Sequence, residues 1–295
     1  MVHRNFRTIQ ETMHFLNENM LCNLDESIYG VKRVEIDFSQ CDYVEPYHLA
    51  PLACVLHEYL EAGFNIDVLG LNARLQKYFD ETGFFEFCEG KYVNAAFPDP
   101  KDKNTLPLWR IMPGAHNVYP QLAEGFFETN GLTGRDLQPL NSALGEMMNN
   151  VFDHSECKIP GYTVTQFHPN RKLLHTCVCD LGCTIPKSVN DYLTSQGLPS
   201  ISSAAALDKA MEKNFSSYTQ PHNRGLGLDN LVSIVRALKG RFLLVSGSSA
   251  CIMEHEEEVL LDMQSNFPGT MVVITLNTDH LEVKEEEQTD DLHIF

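Results

Sequence analysis

Residues 145–155 read GEMMNNVFDHS. At roughly 100° per residue, Leu140, Leu144, Met147, Met148, Val151 and Phe152 gather in one sector of a helix, while Glu146, Asn150, Asp153 and His154 gather in the opposite one. The spacing predicts a helix over 135–154 with one face for a core and another that is either solvated or functional. Ordinary solvated faces favour Lys, Glu and Gln. On its own the stretch reads first as a plain amphipathic helix; Asn149 and Asn150 are mediocre helix formers, and Asp153 gains nothing from a place near a helix C-terminus, which shifts the balance a little toward function.

The segments around this helix define its setting. A further helix is expected near 117–130. GYTVTQFH (161–168) and KLLHTCVCDLG (172–182) read as strands joined by PNR. The Ser- and Ala-rich stretch 187–223 carries no strong strand pattern and has the length of a lid. GLDNLVSIVRALKG (227–240) reads as a helix, and RFLLVSGS (241–248) and GTMVVITLN (269–277) read as strands. Helices first, then strands with one intervening helix, predict a sandwich with a mixed, mainly antiparallel sheet covered by helices on one face.

Upstream, RVEIDFS (33–39), HLAPLACVLHEYLEAG (48–63), FNIDVLGL (64–71) and ARLQKYFDETGFFEFC (73–88) alternate strand, helix, strand, helix, the pattern of a small α/β layer. PDPKDKNTLPLWRIMP (98–113) is rich in Pro and charge, as a domain entry would be. The expected fold class is therefore α/β (α+β). A first domain spans 1–97, a linker 98–110, a second domain 111–278 and an acidic tail 279–295.

With 295 residues, 43% of them hydrophobic, the chain has material for two cores. A formal net charge of −18 argues against a nucleic-acid groove, which needs clustered Lys and Arg. No apolar run approaches the ~20 residues that cross a bilayer, so the expectation is a cytoplasmic protein without a membrane segment. The nine cysteines form no paired CxxC knuckles and read as reduced core thiols; CVCDLGC (177–183) is their one cluster and fits no standard metal site.

Two more boxes carry chemistry-bearing residues. In CDLGCTIPKS (179–188) a strand ends at Asp180, whose carboxylate could accept from an exocyclic amine, and Gly182 lets backbone approach a ligand; the same residues also make a plain strand-to-helix turn. In HNRGLGLDNL (222–231), Gly225 and Gly227 precede an apolar helix whose first N–H groups can face an anion, with Arg224 adding charge. Glycines there equally serve a simple turn.

Taken together and in this order, the three boxes resemble the nucleotide-binding domain of the GHKL superfamily, which includes gyrase-type ATPases and sensor histidine kinases. EMMNNVFDHS is similar to its N box, DLGCTIP to its first glycine box, RGLGLDNL to its second and FPGTMVVITL to its closing strand, over about residues 105–278. The resemblance implies that ATP and Mg²⁺ are the cofactors. Asn150 would be the metal ligand, and Glu146, one turn earlier, would orient or activate the attacking water or hydroxyl. Asp180 would bind the adenine amine with Gly182 and Thr184 beside it. Arg224, Gly225, Leu226, Gly227 and Leu228 would hold the phosphates under a lid formed by 187–223. Thr184 stands where the family usually has a second glycine.

Residues 31–88 resemble a STAS domain, the fold of anti-sigma-factor antagonists. Where phosphorylatable members carry a Ser, this chain has VEPYHL (44–49), with no Ser or Thr. The combination implies an ATP-binding protein that regulates a protein partner, STAS-like or otherwise, through nucleotide binding or slow hydrolysis. The alternatives are an anti-sigma-type Ser/Thr kinase acting on a STAS-like chain and a scaffold without catalysis. A homodimer is compatible with either enzyme.

Overall fold

The computed structural model describes residues 1–4, 9–20, 32–91, 99–112, 115–154, 161–212, 227–254 and 257–284. Its elements follow the order β1 (Val2–Arg4), α1 (Ile9–Glu18), β2 (Arg33–Gln40), α2 (Pro46–Glu61), β3 (Asn65–Leu69), α3 (Ala73–Glu81), α4 (Phe84–Cys88), β4 (Thr105–Arg110), α5 (Ala115–Thr129), α6 (Gln138–His154), β5 (Tyr162–His168), β6 (Leu173–Asp180), α7 (Ile185–Ser195), α8 (Ser203–Met211), α9 (Gly227–Ala237), β7 (Arg241–Glu254) and β8 (Glu257–Asn277). Two sheets result. One is parallel, with strand order β1-β2-β3; the other is antiparallel, with order β4-β5-β6-β8-β7.

Helix α2 lies between them. Twelve of its residues are buried, which is why PYHLAPLACVLHEYLE is apolar on nearly every side rather than along one stripe. It packs on β3 in one direction and on β5 and β6 in the other. The Cys54 thiol donates to the Cys179 carbonyl at 3.3 Å, and the Tyr162 hydroxyl lies 2.8 Å from His57 Nδ1. Helix α1 covers β8 on the same side.

The antiparallel sheet is therefore covered on both faces, not on one as its sequence suggested. Along β6, Cys177 and Cys179 belong to the core shared with α2, whereas Leu174 and Val178 belong to the core beneath α5, α6 and α9. A strand buried on both faces has no polar side, and LLHTCVCD accordingly reads as a nearly continuous apolar run.

Three expected boundaries are corrected. Residues 105–110 are not linker but β4, an edge strand with Leu106, Leu108 and Trp109 buried. Pro107 is tolerated there because an edge strand has one unpaired side and the β4–β5 register shifts between Leu106 and Trp109. The Leu108 N–H points instead to the Thr82 carbonyl of the first unit, at 2.8 Å. Of the residues expected in a lid, 187–195 and 203–211 belong to α7 and α8, whose Val189, Leu193, Ala206 and Leu207 are buried; 213–223 lie outside the described residues. The start of the acidic tail is also docked. Leu281 is buried, Arg135 donates to its carbonyl at 2.8 Å, and the Lys284 N–H donates to the Gly134 carbonyl at 2.9 Å; 285–295 lie outside the described residues.

Among the described residues, no helix is long and apolar enough to cross a membrane.

Candidate functional site

Helix α6 buries Leu140, Leu144, Met147, Met148 and Val151, which leaves Glu146 and Asn150 half-buried on its other sector. That sector faces α9. Asn230 donates its amide to Glu146 Oε1 at 3.4 Å. A Cβ built on Gly227, the first residue of α9, would stand 3.5 Å from both Asn150 Oδ1 and Glu146 Oε2, so the backbone at that helix start lies directly against the two side chains. The first N–H groups of a helix have no intrahelical acceptor and carry partial positive charge, which suits a carboxylate or another anion beside them.

Among the described residues, two polar atoms on these helices lack partners. Asn150 Nδ2 and Asp229 Oδ1 are both buried without a hydrogen bond there. Buried amides are nearly always satisfied, and an orphan costs roughly 1–3 kcal/mol, so each marks a place where another polar group belongs.

A second group of residues sits at the end of β6. Asp180 is 4% exposed, and its Oδ1 accepts from the Gly182 N–H at 2.7 Å. Burial pushes its pKa up to about 7, with the Gly182 hydrogen bond pulling the other way. Asp180 is in phase with Leu174 and Val178, so it belongs to the face of the sheet that α6 covers. Strand β8 passes very close here. A Cβ on Gly269 would overlap the Asp180 carbonyl oxygen and stand 2.7 Å from Leu181 Cα, so only glycine fits at that position.

The start of α7 is pinned to the same strands. The Ser246 hydroxyl accepts from the Ile185 N–H at 2.8 Å, donates to the Gly269 carbonyl at 3.0 Å and lies 2.8 Å from the Thr270 hydroxyl. Thr184 is the N-cap of α7. Its hydroxyl oxygen accepts from the Lys187 N–H at 3.3 Å.

The structure thus brings Glu146, Asn150 and Gly227 together, and it places Asp180, Gly182 and Thr184 as a separate group at the end of β6. Leu228 is half-buried against the core under α9. Arg224, Gly225 and Leu226 lie outside the described residues, as do the side chains of Asp153 and His154. Sequence reasoning missed Asn230, Ser246 and Gly269. Asn230 had a visible signal, since it stands three residues after Gly227 on the same helical face. Ser246 and Gly269 looked like ordinary strand and turn residues.

No family model matches this chain, and no curated protein matches it in sequence.

Proposed function

We propose that this chain is an ATP-binding protein of the histidine-kinase-like ATPase type, in which nucleotide is held between α6, the end of β6 and the start of α9 to regulate a protein partner. The observation that carries the reading is the meeting of Glu146 and Asn150 with the first residue of α9.

The donor set suits the ligand. Asn150 offers a carbonyl oxygen, a hard donor of the kind Mg²⁺ accepts while keeping several waters, and its unpartnered Nδ2 would gain an acceptor in a phosphate oxygen. Bound Mg²⁺ would offset the phosphate charge. Gly227 and Leu228 stand in the first turn of α9, and the N–H groups of a helix's first turn favour an anion. Glu146, held by Asn230, is the group available to orient a water or hydroxyl and accept its proton. Asp180, once ionised, accepts from an exocyclic amine, which selects adenine over guanine at that edge.

A second reading, a Ser/Thr kinase directed at a STAS-like partner, draws support from the small parallel unit that α2 holds against the sheet. Transfer of labelled phosphate from ATP to a protein separates it from an ATPase.

Calorimetric titration of the full chain with Mg–ATP and Mg–GTP tests the main reading. Binding of ATP in preference to GTP, weakened by Asn150→Ala, is the expected result. Lack of binding at millimolar nucleotide would end the proposal.

A further inference from the structure

A cavity of about 250 Å³ opens between the chain entering α2, helix α3 and the end of β5. Tyr43, Glu45, Arg74, Tyr78 and His168 are among its lining residues. Its polar groups are left unsatisfied in a way that ordinary packing does not require. Tyr78 is only 8% exposed, yet among the described residues its hydroxyl has no hydrogen-bond partner, and neither has Glu45 Oε2. His168 Nε2 stands 3.7 Å from Glu45 Oε2, too far for a hydrogen bond. Burial alone would neutralise Glu45, but His168, His175 and His48 around it outweigh burial and hold its pKa below the ordinary carboxylate value.

The two sides of the cavity differ in chemistry. Arg74, Lys77, Tyr78 and Glu81 share one face of α3; Lys77 and Glu81 pair with each other at 3.3 Å, which leaves as donors Arg74, an exposed guanidinium with no ion pair among the described residues, and the buried Tyr78 phenol. The side at the start of α2 supplies an acceptor, the Glu45 carboxylate, with the Tyr43 ring beside it. An acceptor opposite two donors matches a small molecule that carries a cation at one end and an anion at the other. A metal ion does not fit, since among the described residues no three His, Cys, Asp or Glu side chains are grouped to hold one.

We propose that this cavity is a binding site for a small zwitterion of the α-amino acid class, with the ammonium group on Glu45 and the carboxylate on Tyr78 and Arg74. The site joins the first unit to the antiparallel sheet, because Glu45 and Tyr78 come from one and His168 from the other. It shares no residue with the proposed nucleotide site, so the two stand or fall separately.

The test uses the full chain and a panel of the twenty α-amino acids at millimolar concentration, with methylamine and acetate as the two separate halves. Thermal shift gives the first readout and calorimetry the affinity. Binding of at least one amino acid is expected, together with much weaker binding of either half. Glu45→Gln and Tyr78→Phe keep the side-chain shape and should each weaken the bound amino acid by about 10-fold. Arg74→Ala, at an exposed position, checks the carboxylate end without disturbing the fold. If no amino acid binds, if acetate or methylamine binds as well as the whole zwitterion, or if affinity is unchanged in all three variants, the proposal is overturned.

Discussion

Asn230 on α9 donates to Glu146 on α6 at 3.4 Å, and this contact ties the helix that opens with Gly227 to the carboxylate that the proposed function assigns to proton transfer. Replacing Glu146 by Gln keeps an acceptor for Asn230 and removes the base. Mg–ATP affinity should change by less than about 3-fold, while phosphate release or transfer falls by about 10²–10⁴-fold. Parallel titration and turnover assays on the same preparation check both halves.

Asp180 should reveal itself through opposite effects on stability and binding. A carboxyl whose pKa rises from 3.8 to about 7 on folding contributes stability that is present below pH 4 and lost as the pH climbs to 7. Asp180→Asn removes that loss. Urea unfolding at pH 8 should show the variant more stable, by up to about 4 kcal/mol, with the difference vanishing near pH 4. ATP affinity should fall by about 10-fold in the same variant, since an amide is a poorer acceptor for the adenine amine than a carboxylate.

Nucleotide held at Asp180 also predicts a proton signal. An amine donating to the carboxylate favours its charged form, so binding near pH 6 should release a proton and binding at pH 8 should not. Calorimetry in two buffers of different ionisation enthalpy measures it directly.

Gly269 is where β8 passes closest to the end of β6. A methyl group there meets backbone rather than a flexible side chain, so Gly269→Ala should cost about 1–3 kcal/mol of stability, read from denaturant midpoints. A β-branched residue should do worse.

The Tyr162–His57 pair tests how firmly the two sheets are joined through α2. Burial lowers the His57 pKa, with Arg110 adding to the effect, so the ring is held neutral and shares one proton contact with the phenol at 2.8 Å. Tyr162→Phe keeps the ring packing against Phe87 and strands a buried nitrogen. A loss of about 1–3 kcal/mol is expected, as a single cooperative unfolding transition shifted to lower denaturant.

Periodicity made much of this fold legible. The alternation in RVEIDFS, the apolar spacing around EMMNN and the pair of strands meeting at PNR all correspond to elements found in place. What it did not reveal depends on neighbours distant in sequence. Strand β4 was hidden because Pro107 and the charges before it look like a linker, and only pairing with β5 makes them an edge. Strands β7 and β8 extend well past 248 and begin well before 269, pairing from Ser249↔Asp262 out to Glu254↔Glu257, although the acidic residues there suggest a loop. Helices α7 and α8 looked like a lid because Ser and Ala carry little hydrophobic signal, yet their few apolar side chains are all that is needed against β7. On α6, the half-buried sector that carries Glu146 and Asn150 was legible from helical spacing. That Asn230 reaches Glu146 depends on the crossing of α6 and α9, although its place three residues after Gly227 was a visible signal.

The central claim is that the α6 carboxylate and amide, the end of β6 and the start of α9 surround one ligand. Hydrogen–deuterium exchange of the full chain with and without Mg–ATP measures this most directly. Simultaneous protection of segments 146–151, 180–185 and 227–232 is predicted, reduced together by Asn150→Ala. Protection confined to one of these segments, or none in any, would contradict the account.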